Sequence, residues 1–584
     1  MNARVRLLFT MLTAAIVLTA GAARAEFSKL NPRARIALGQ LRAGATPRDL
    51  RIQGAAVNAN GDLDVFIRGN VSRADLEAAG AIIRTELPNG IFTADIPVSA
   101  VEAVAALPGV QHISGAVQFE PNLNASLPTT KADIQRTAGP AFSGANGAGV
   151  LVGDIDTGIS YTHDDFKNPD GTTRILRIWD QTVATGPNPA GYAYGTESFP
   201  ADINAATSSE RDTNGHGTHC MGIIAGDGSG TGGAIPAFTY VGKAPKADIV
   251  EIKSDLTDTH ILDGLAYFNN LATTLGKNAV MNMSFGSQFG PHDGTSDLES
   301  AISSMTGPGR IVTVSAGNDG NTAIHAGVNV AAPSTPVTLN ITGTGNGRIA
   351  AVDGYYDATE AMNVTISHPT YGSFGPVTLG NINAAYPGVD FGTGTTKGKL
   401  YIENGAFLTA TGAREVYFEI KGGTTSGSTM NGLWTITFTP TAPAGAANGR
   451  VDLWRYYVST TALVANFVTG MTNDHLVSEP ACANDVISCA AWITKTSWTN
   501  CANLNISYSA TVPPTTVDFI APFSANGPTR DGRQKPDIAA PGQGIGSARS
   551  LDITLGTCTT ASTYYSYLND NRMHTINQGT SMAA

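Results

Sequence analysis

The chain has 584 residues, 42% of them hydrophobic and 14% charged, with 66 Gly and a formal net charge of −11. That length exceeds what one core can serve and calls for several domains. The composition excludes a disordered chain, and the acidic balance argues against nucleic acid as a partner.

Arg4 and Arg6 precede a mostly apolar run over 7–22, and Ala23-Arg24-Ala25 follows as a small-x-small site. This predicts a secretory signal peptide over 1–25, with Glu26 opening a chain exported to the extracellular or periplasmic space. The apolar run is short for a membrane span, and no later segment is long and apolar enough to form one. No membrane partner is expected once the signal is removed. Residues 26–127 read as a small α/β unit. Strands are expected over 63–67, 81–83, 91–94 and 110–113. Helices are expected over 72–79, with Ser72 as N-cap, and over 98–107, stopped by Pro108-Gly109.

From Val150 the pattern changes, within a part that runs from residue 128. Residues 150–155 form an apolar strand that delivers Asp156. Further strands are expected over 249–253, 279–283 and 311–315, with a helix over 261–275. Strands alternating with helices predict a parallel sheet with helical cover. Over 330–470 the helices vanish. Strand-like runs at 337–341, 348–352, 363–366, 399–402, 415–420, 434–438 and 450–454 are punctuated by Gly, Pro, Asn and Thr, as in a β-sandwich or jelly roll. The α/β pattern resumes at Asp485-Val486-Ile487-Ser488. Residues 128–329 and 471–584 therefore form two parts of one domain, interrupted by an all-β insertion at 330–470.

Three short motifs carry chemistry. Asp156-Thr157-Gly158 ends a strand. His216 lies in Asn214-Gly215-His216-Gly217-Thr218-His219, just before an apolar helix. Ser581 follows Gly579-Thr580. A serine hydroxyl becomes a nucleophile when a base takes its proton and a carboxylate orients that base. Each motif alone has a plainer reading. Asp156 suits an Asx turn, and Gly-Thr-Ser is a common turn. His216 and His219 could be metal ligands, although the helix-borne Glu of the zinc-protease motif is absent.

Together, in the chain order Asp, His, Ser, the motifs resemble the subtilisin-like serine peptidases, the subtilase family. The resemblance covers 150–329 and 471–584. It extends through Gly242-Lys243-Ala244-Pro245, Asn282-Met283-Ser284-Phe285-Gly286, Ser315-Ala316-Gly317-Asn318, Phe523-Ser524-Ala525-Asn526-Gly527-Pro528 and Ala540-Pro541-Gly542. It implies an α/β fold with a subtilisin-like parallel sheet and helices on both faces. It implies roles as well: Asp156 orients His216, His216 is general base and then acid, and Ser581 attacks a peptide carbonyl. Asn318 and the Ser581 N–H hold the oxyanion, while Ser284, Phe285 and Gly286 line the substrate cleft. The partners so implied are protein or peptide substrates. No cofactor and no metal ligand is assigned, and the scattered Asp residues define no calcium site.

Asp164-Asp165-Phe166, Trp179-Asp180-Gln181 and the β insertion narrow the resemblance to the branch of the clostridial germination proteases, which carries an inserted jelly roll. Residues 26–127 resemble, more weakly, the family's inhibitory propeptide. Self-processing is then expected near Asn122 to Pro128. In the family a long apolar helix follows the nucleophile, whereas the given sequence ends three residues beyond Ser581. The resemblance thus implies a C-terminally truncated fragment, itself poorly stable and inactive. Two other classes stand beside the peptidase: a pseudoprotease or binding protein inactivated by truncation, and a serine-carboxyl peptidase, which uses Glu where this chain has His216.

Asp154 departs from the family, which has a small apolar residue there. It shares a strand face with Asp156, and two close carboxylates raise one pKa. The five cysteines are 220, 482, 489, 501 and 558. Cys220 sits where the proteinase K-like branch carries a free thiol. The other four lie in a loop-rich stretch of an exported chain, where the expected disulfides are Cys482–Cys489 and Cys501–Cys558, with five reduced thiols as the alternative.

Overall fold

A computed structural model describes residues 29–52, 55–117, 120–121, 135–233, 235–343, 348–393, 397–423, 430–443, 449–456, 464–508, 516–555, 558 and 566–584. The expected signal peptide and the expected processing stretch after Pro121 lie outside them. The chain divides into two compact units, one of residues 1–117 and 327–470, the other of 118–326 and 471–584.

The first unit begins with helix α1 (Pro32–Arg42), which the sequence analysis does not anticipate although its start signal is present. Asn31 caps it by accepting from Ala34 N at 3.0 Å, and Pro32 occupies the first turn. After α2 (Pro47–Ile52) come β1 (Leu63–Gly69), α3 (Arg73–Ala78), β2 (Ile82–Glu86), β3 (Ile91–Ile96), α4 (Val101–Ala106) and β4 (Val110–Gly115). The strands form one sheet in the order β2-β3-β1-β4, antiparallel throughout. Val65, Ile67, Phe92, Ile113, Leu76 and Val104 share one buried core with Leu38 of α1.

The second unit opens with β5 (Glu120–Pro121) and then builds a nine-stranded sheet. Its first half holds β6 (Leu151–Asp156), β7 (Ile175–Asp180), β8 (Thr196–Ser198), helices α5 (Pro200–Asn204) and α6 (His216–Ala225), β9 (Asp248–Lys253) and α7 (Asp258–Thr274). Next come β10 (Ala279–Met283), β11 (Phe285–Gly286), α8 (Asp297–Met305) and β12 (Arg310–Ser315).

Chain order then passes through β13 (His325–Asn329), β14 (Thr335–Thr342), β15 (Ile349–Tyr356), β16 (Met362–His368), β17 (Gly372–Val377), β18 (Asn381–Ile382) and β19 (Val389–Phe391). It continues with β20 (Gly398–Leu408), β21 (Arg414–Lys421), β22 (Gly432–Pro440), β23 (Arg450–Tyr456) and β24 (Val464–Phe467). These strands make two sheets, β13-β23-β15-β21-β20-β18 with β19 beside β20, and β17-β16-β22-β14-β24. In β14 and β16, Val337, Leu339, Ile341, Val364 and Ile366 point inward while Thr and Asn alternate with them. β15, β21 and β23 are instead buried on both faces. α1 meets β20 and the loop between β18 and β19, with Arg35 Nη1 2.5 Å from Glu403 Oε2 and Gln40 donating to the Tyr386 hydroxyl at 2.9 Å.

The nine-stranded sheet is completed by β25 (Ile487–Ile493), β28 (Ile538–Ala548) and β29 (His574–Gln578), with a small hairpin of β26 (Ser497–Thr499) and β27 (Asn505–Ser507) between them. Its order is β29-β28-β25-β12-β10-β6-β9-β7-β8. Pairings from β28 through β7 are parallel, and only the edge strands β29 and β8 run antiparallel. The anticipated parallel sheet is therefore present. It places the carboxyl ends of β6, β10 and β12 side by side, the edge at which α/β proteins bind ligands.

One expectation fails. Cys501 and Cys558 are bonded, but Cys482 and Cys489 are free and buried, as is Cys220. Cys489 is held inside the sheet by β12 on one side and β28 on the other. Cys482 sits in the turn before β25, its thiol donating to the Val477 carbonyl at 3.3 Å. Nearness in sequence does not bring the sulfurs together when one belongs to a fully paired strand.

Candidate active site

Asp156 is the last residue of β6 and is fully buried. His216 is the first residue of α6, and its Nδ1 lies 2.6 Å from both carboxylate oxygens of Asp156. The ring reaches that carboxylate because two glycines permit it. Gly215 enters the helix at φ 91°, in the left-handed region. At Gly217 a Cβ would come within 2.2 Å of the Gly158 carbonyl and 3.0 Å of the Asp156 Cβ, so only glycine lets the helix approach the strand this closely.

Asp212, absent from the motif reading, shapes the same turn. Its carboxylate accepts from Gly215 N at 2.7 Å, Thr218 N at 3.0 Å, the Thr218 hydroxyl at 2.6 Å and the Thr157 hydroxyl at 3.0 Å. It thus ties the Asp156 loop to the start of α6. The signal for it is an acidic residue just ahead of a helix start.

Ser581 lies in a single 3₁₀ turn (Thr580–Met582) directly after β29 and Gly579. Cys220 of α6 and Met582 share a buried cluster with Ile545, which brings the turn against the histidine helix. The Ser581 hydroxyl donates to the Ser284 carbonyl at 2.9 Å, and the Ser284 hydroxyl donates to the Ser581 carbonyl at 2.7 Å. Asn318 follows β12. Its Oδ1 accepts from Thr580 N at 2.9 Å and the Thr580 hydroxyl at 3.0 Å, which turns the Nδ2 end away from Thr580. Beside Ser284, β11 pairs antiparallel with β5, Phe285 opposite Pro121 and Gly286 opposite Glu120. Asp156, His216, Ser284, Phe285, Gly286, Asn318 and Ser581 all gather along one edge of the sheet.

His219 is not part of this group. It is buried, its Nε2 lies 3.2 Å from the Thr575 carbonyl, and burial pulls its pKa down to about 3. It therefore acts as a neutral tie between α6 and β29. Asp156, His216 and Cys220 each bring one donor atom within 4.8 Å of the others, and no second such group occurs among the described residues. That donor set suits a soft cation, yet the carboxylate already engages the Nδ1 of His216. Burial, with Asp156 and Asp154 beside it, pushes the Cys220 thiol well up.

Behind Asp156 lies a reserve of acid. Burial first and Asp156 second raise Asp154 well above the carboxylate range. Glu251 is raised by burial and by Asp154. Glu210 is raised by burial, which outweighs the lowering effect of Lys253. None of the three gave a sequence signal beyond the odd placement of Asp154. The other two acquire their surroundings only when β9 and the 205–212 loop close on β6.

The fold and site together define a mostly parallel α/β sheet carrying an aspartate–histidine pair and a serine turn at its carboxyl edge. The family model described as the subtilase family matches residues 147–584. The chain belongs to the subtilase family of serine peptidases. It is 31% identical over 182 residues to a PII-type proteinase of Lacticaseibacillus paracasei, a stretch covering 30% of this chain and 9% of the relative. It is 27% identical over 202 residues to a cuticle-degrading serine protease of Arthrobotrys oligospora, covering 34% of this chain and 38% of the relative. The chain thus spans well under half the length of these curated relatives. Among solved structures, the Clostridium perfringens CspB protease has a similar fold, with a TM-score of 0.56, 24% identity, and coverage of 79% of this chain and 84% of that one. Among the described residues no helix is long and apolar enough to cross a membrane.

Proposed function

We propose that the protein is a secreted serine endopeptidase, made with an inhibitory N-terminal module, of the subtilase branch that carries an inserted jelly roll. The observation that carries the reading is the 2.6 Å contact between His216 Nδ1 and the Asp156 carboxylate, beside the Ser581 turn. The carboxylate fixes the tautomer with a proton on Nδ1 and leaves Nε2 as the base. Ser581 gives its proton to His216 and attacks the substrate carbonyl. The Asn318 amide and the Ser581 N–H receive the oxyanion. His216 then protonates the leaving amine, and water resolves the acyl-enzyme by the reverse roles. The Ser581 hydroxyl, which donates to the Ser284 carbonyl at 2.9 Å, must leave that carbonyl to reach His216, a change of the kind that binding of substrate completes.

The cleft is a strand edge, so a peptide is held mainly by its backbone. The pairing of Glu120–Pro121 with Phe285–Gly286 supports the leader reading, because the segment joining the N-terminal module to the rest of the chain runs along that edge as a substrate would. A fluorophosphonate should label the full-length wild-type protein and not its Ser581→Ala variant. Wild type should lose the leader while Ser581→Ala keeps it. Active enzyme that still begins at Glu26, or labelling that survives Ser581→Ala, would refute the reading. An activity optimum near neutral pH separates this chemistry from that of a serine-carboxyl peptidase.

A further inference from the structure

The triad chemistry does not use Asp154, a fully buried carboxyl in β6. Its Oδ1 accepts from the Asn282 amide nitrogen at 2.9 Å. The same nitrogen donates to the Ser284 hydroxyl oxygen at 2.7 Å, and that hydroxyl donates to the main-chain carbonyl of Ser581 at 2.7 Å. At its other end the Asn282 Oδ1 accepts from the Thr313 hydroxyl at 3.3 Å. The amide oxygen thus faces the Thr313 hydroxyl, and the amide nitrogen faces Asp154 and Ser284. The amide presents its two N–H donors to Asp154 and Ser284. Ser284, having accepted one hydrogen bond, has its own proton for Ser581.

Packing alone does not call for a carboxyl here. Its Oδ2 finds no partner among the described residues, and neither oxygen of Glu251, its register partner on β9, finds one. Burying such groups costs stability, and a residue that breaks a local rule in this way marks a functional place. The relay ends on the one residue gripped at both ends by Ser284, which takes the Ser581 hydroxyl on its carbonyl while its own hydroxyl holds the Ser581 carbonyl.

We propose that Asp154 is a positioning residue that, through Asn282 and Ser284, orients the main chain and hydroxyl of Ser581 for attack. The inference rests on the reading of Ser581 as the nucleophile. Asp154 touches neither substrate nor the reacting atoms, so its effect falls on kcat rather than KM. One net hydrogen bond corresponds to a factor of about five to ten in rate.

The experiment measures kcat and KM on a peptide ester, with fluorophosphonate labelling as the control, for Asp154→Leu, Asp154→Asn, Ser284→Ala and the double variant Asp154→Leu/Ser284→Ala. Asp154→Leu should lose about five- to tenfold in kcat with KM within about twofold of wild type. Asp154→Asn still offers an oxygen to Asn282 and should restore most of the rate. Ser284→Ala should lose a similar factor, and the double variant should be no slower than Ser284→Ala alone, because both cut one relay. Should Asp154→Leu not fold, Asp154→Ser, polar but too short to reach Asn282, takes its place with the same expected loss. Wild-type kcat in the folded Leu or Ser variant, or losses that multiply in the double variant, overturns the proposal while leaving the peptidase reading intact. A full-length wild type that neither labels nor turns over the ester overturns both.

Discussion

His574 opens β29, the strand that delivers Ser581, and both of its ring nitrogens face buried carboxylates. Nε2 lies 2.9 Å from Asp165 Oδ2 and Nδ1 2.5 Å from Asp570 Oδ2. With an acceptor at each nitrogen the ring is an imidazolium. Burial alone would lower its pKa, but Asp165 and Asp570 more than reverse that and raise it to about 9. The other groups against the ring are neutral near pH 7. His163 meets it edge-on at 5.5 Å and is lowered by burial, and the Tyr240 ring lies 5.0 Å away, its hydroxyl raised by burial to about 12.

The shift from 6.5 to about 9 corresponds to about 3 kcal/mol of stability. Because the folded-state pKa is the higher one, this contribution is complete below about pH 6.5. It is lost progressively as the pH rises through about 9. Denaturant unfolding at pH 6 and pH 9.5, in a Ser581→Ala background that prevents self-digestion, should show the loss. Glu299, raised to about 8 by burial and then Asp293, adds its own loss over part of this range. The difference between wild type and His574→Gln therefore carries the test. At pH 6 the variant should be less stable by about 3–5 kcal/mol, since it strands two carboxylates in the interior, and its pH dependence should be shallower by about 3 kcal/mol. Equal pH dependence in the two proteins would refute the reasoning.

Asn318→Ala should lower kcat by about 10²–10³, the factor by which subtilisin suffers when its oxyanion-hole amide is removed, with little change in KM. Reducing Cys501–Cys558, which closes a separation of 57 residues, should cost about 4 kcal/mol of stability as read by unfolding with and without reductant. Peptide mapping without reductant should find Cys220, Cys482 and Cys489 unlinked. Arg35→Ala should destabilise the unit of residues 1–117 and 327–470 by about 3–5 kcal/mol, since Glu403, also bonded by the Tyr401 hydroxyl, loses its buried cation. A wild-type unfolding midpoint in that variant would show that the pair contributes nothing net.

Local chemistry was legible wherever a function needs contiguous residues. Asp156 at a strand end, His216 between two glycines at a helix start and Asn318 after a strand are positions that the backbone itself prescribes, so their motifs survive in the linear chain. The alternation of Val337, Leu339 and Ile341 with polar residues likewise announces a strand with one buried face. The helix Pro32–Arg42 also has a local sign, Asn31 as cap followed by Pro32 in the first turn.

Other features exist only after folding. His574 meets Asp165 across 409 positions, and neither residue carries a local sign that the other is its partner. In the Asp154–Asn282–Ser284–Ser581 relay, the Asp154–Asn282 bond needs two strands to pair in register, and the Ser284–Ser581 bond spans 297 positions. Cys482 and Cys489 are near in sequence yet unbonded, because pairing of β25 with its neighbours fixes where one of them lies. The amino-acid order alone determined the class of chemistry, through short motifs whose geometry is a property of single turns. The buried charges that hold those turns in place were decided by the tertiary structure, because solvent exclusion and long-range pairing come into being only when distant strands meet.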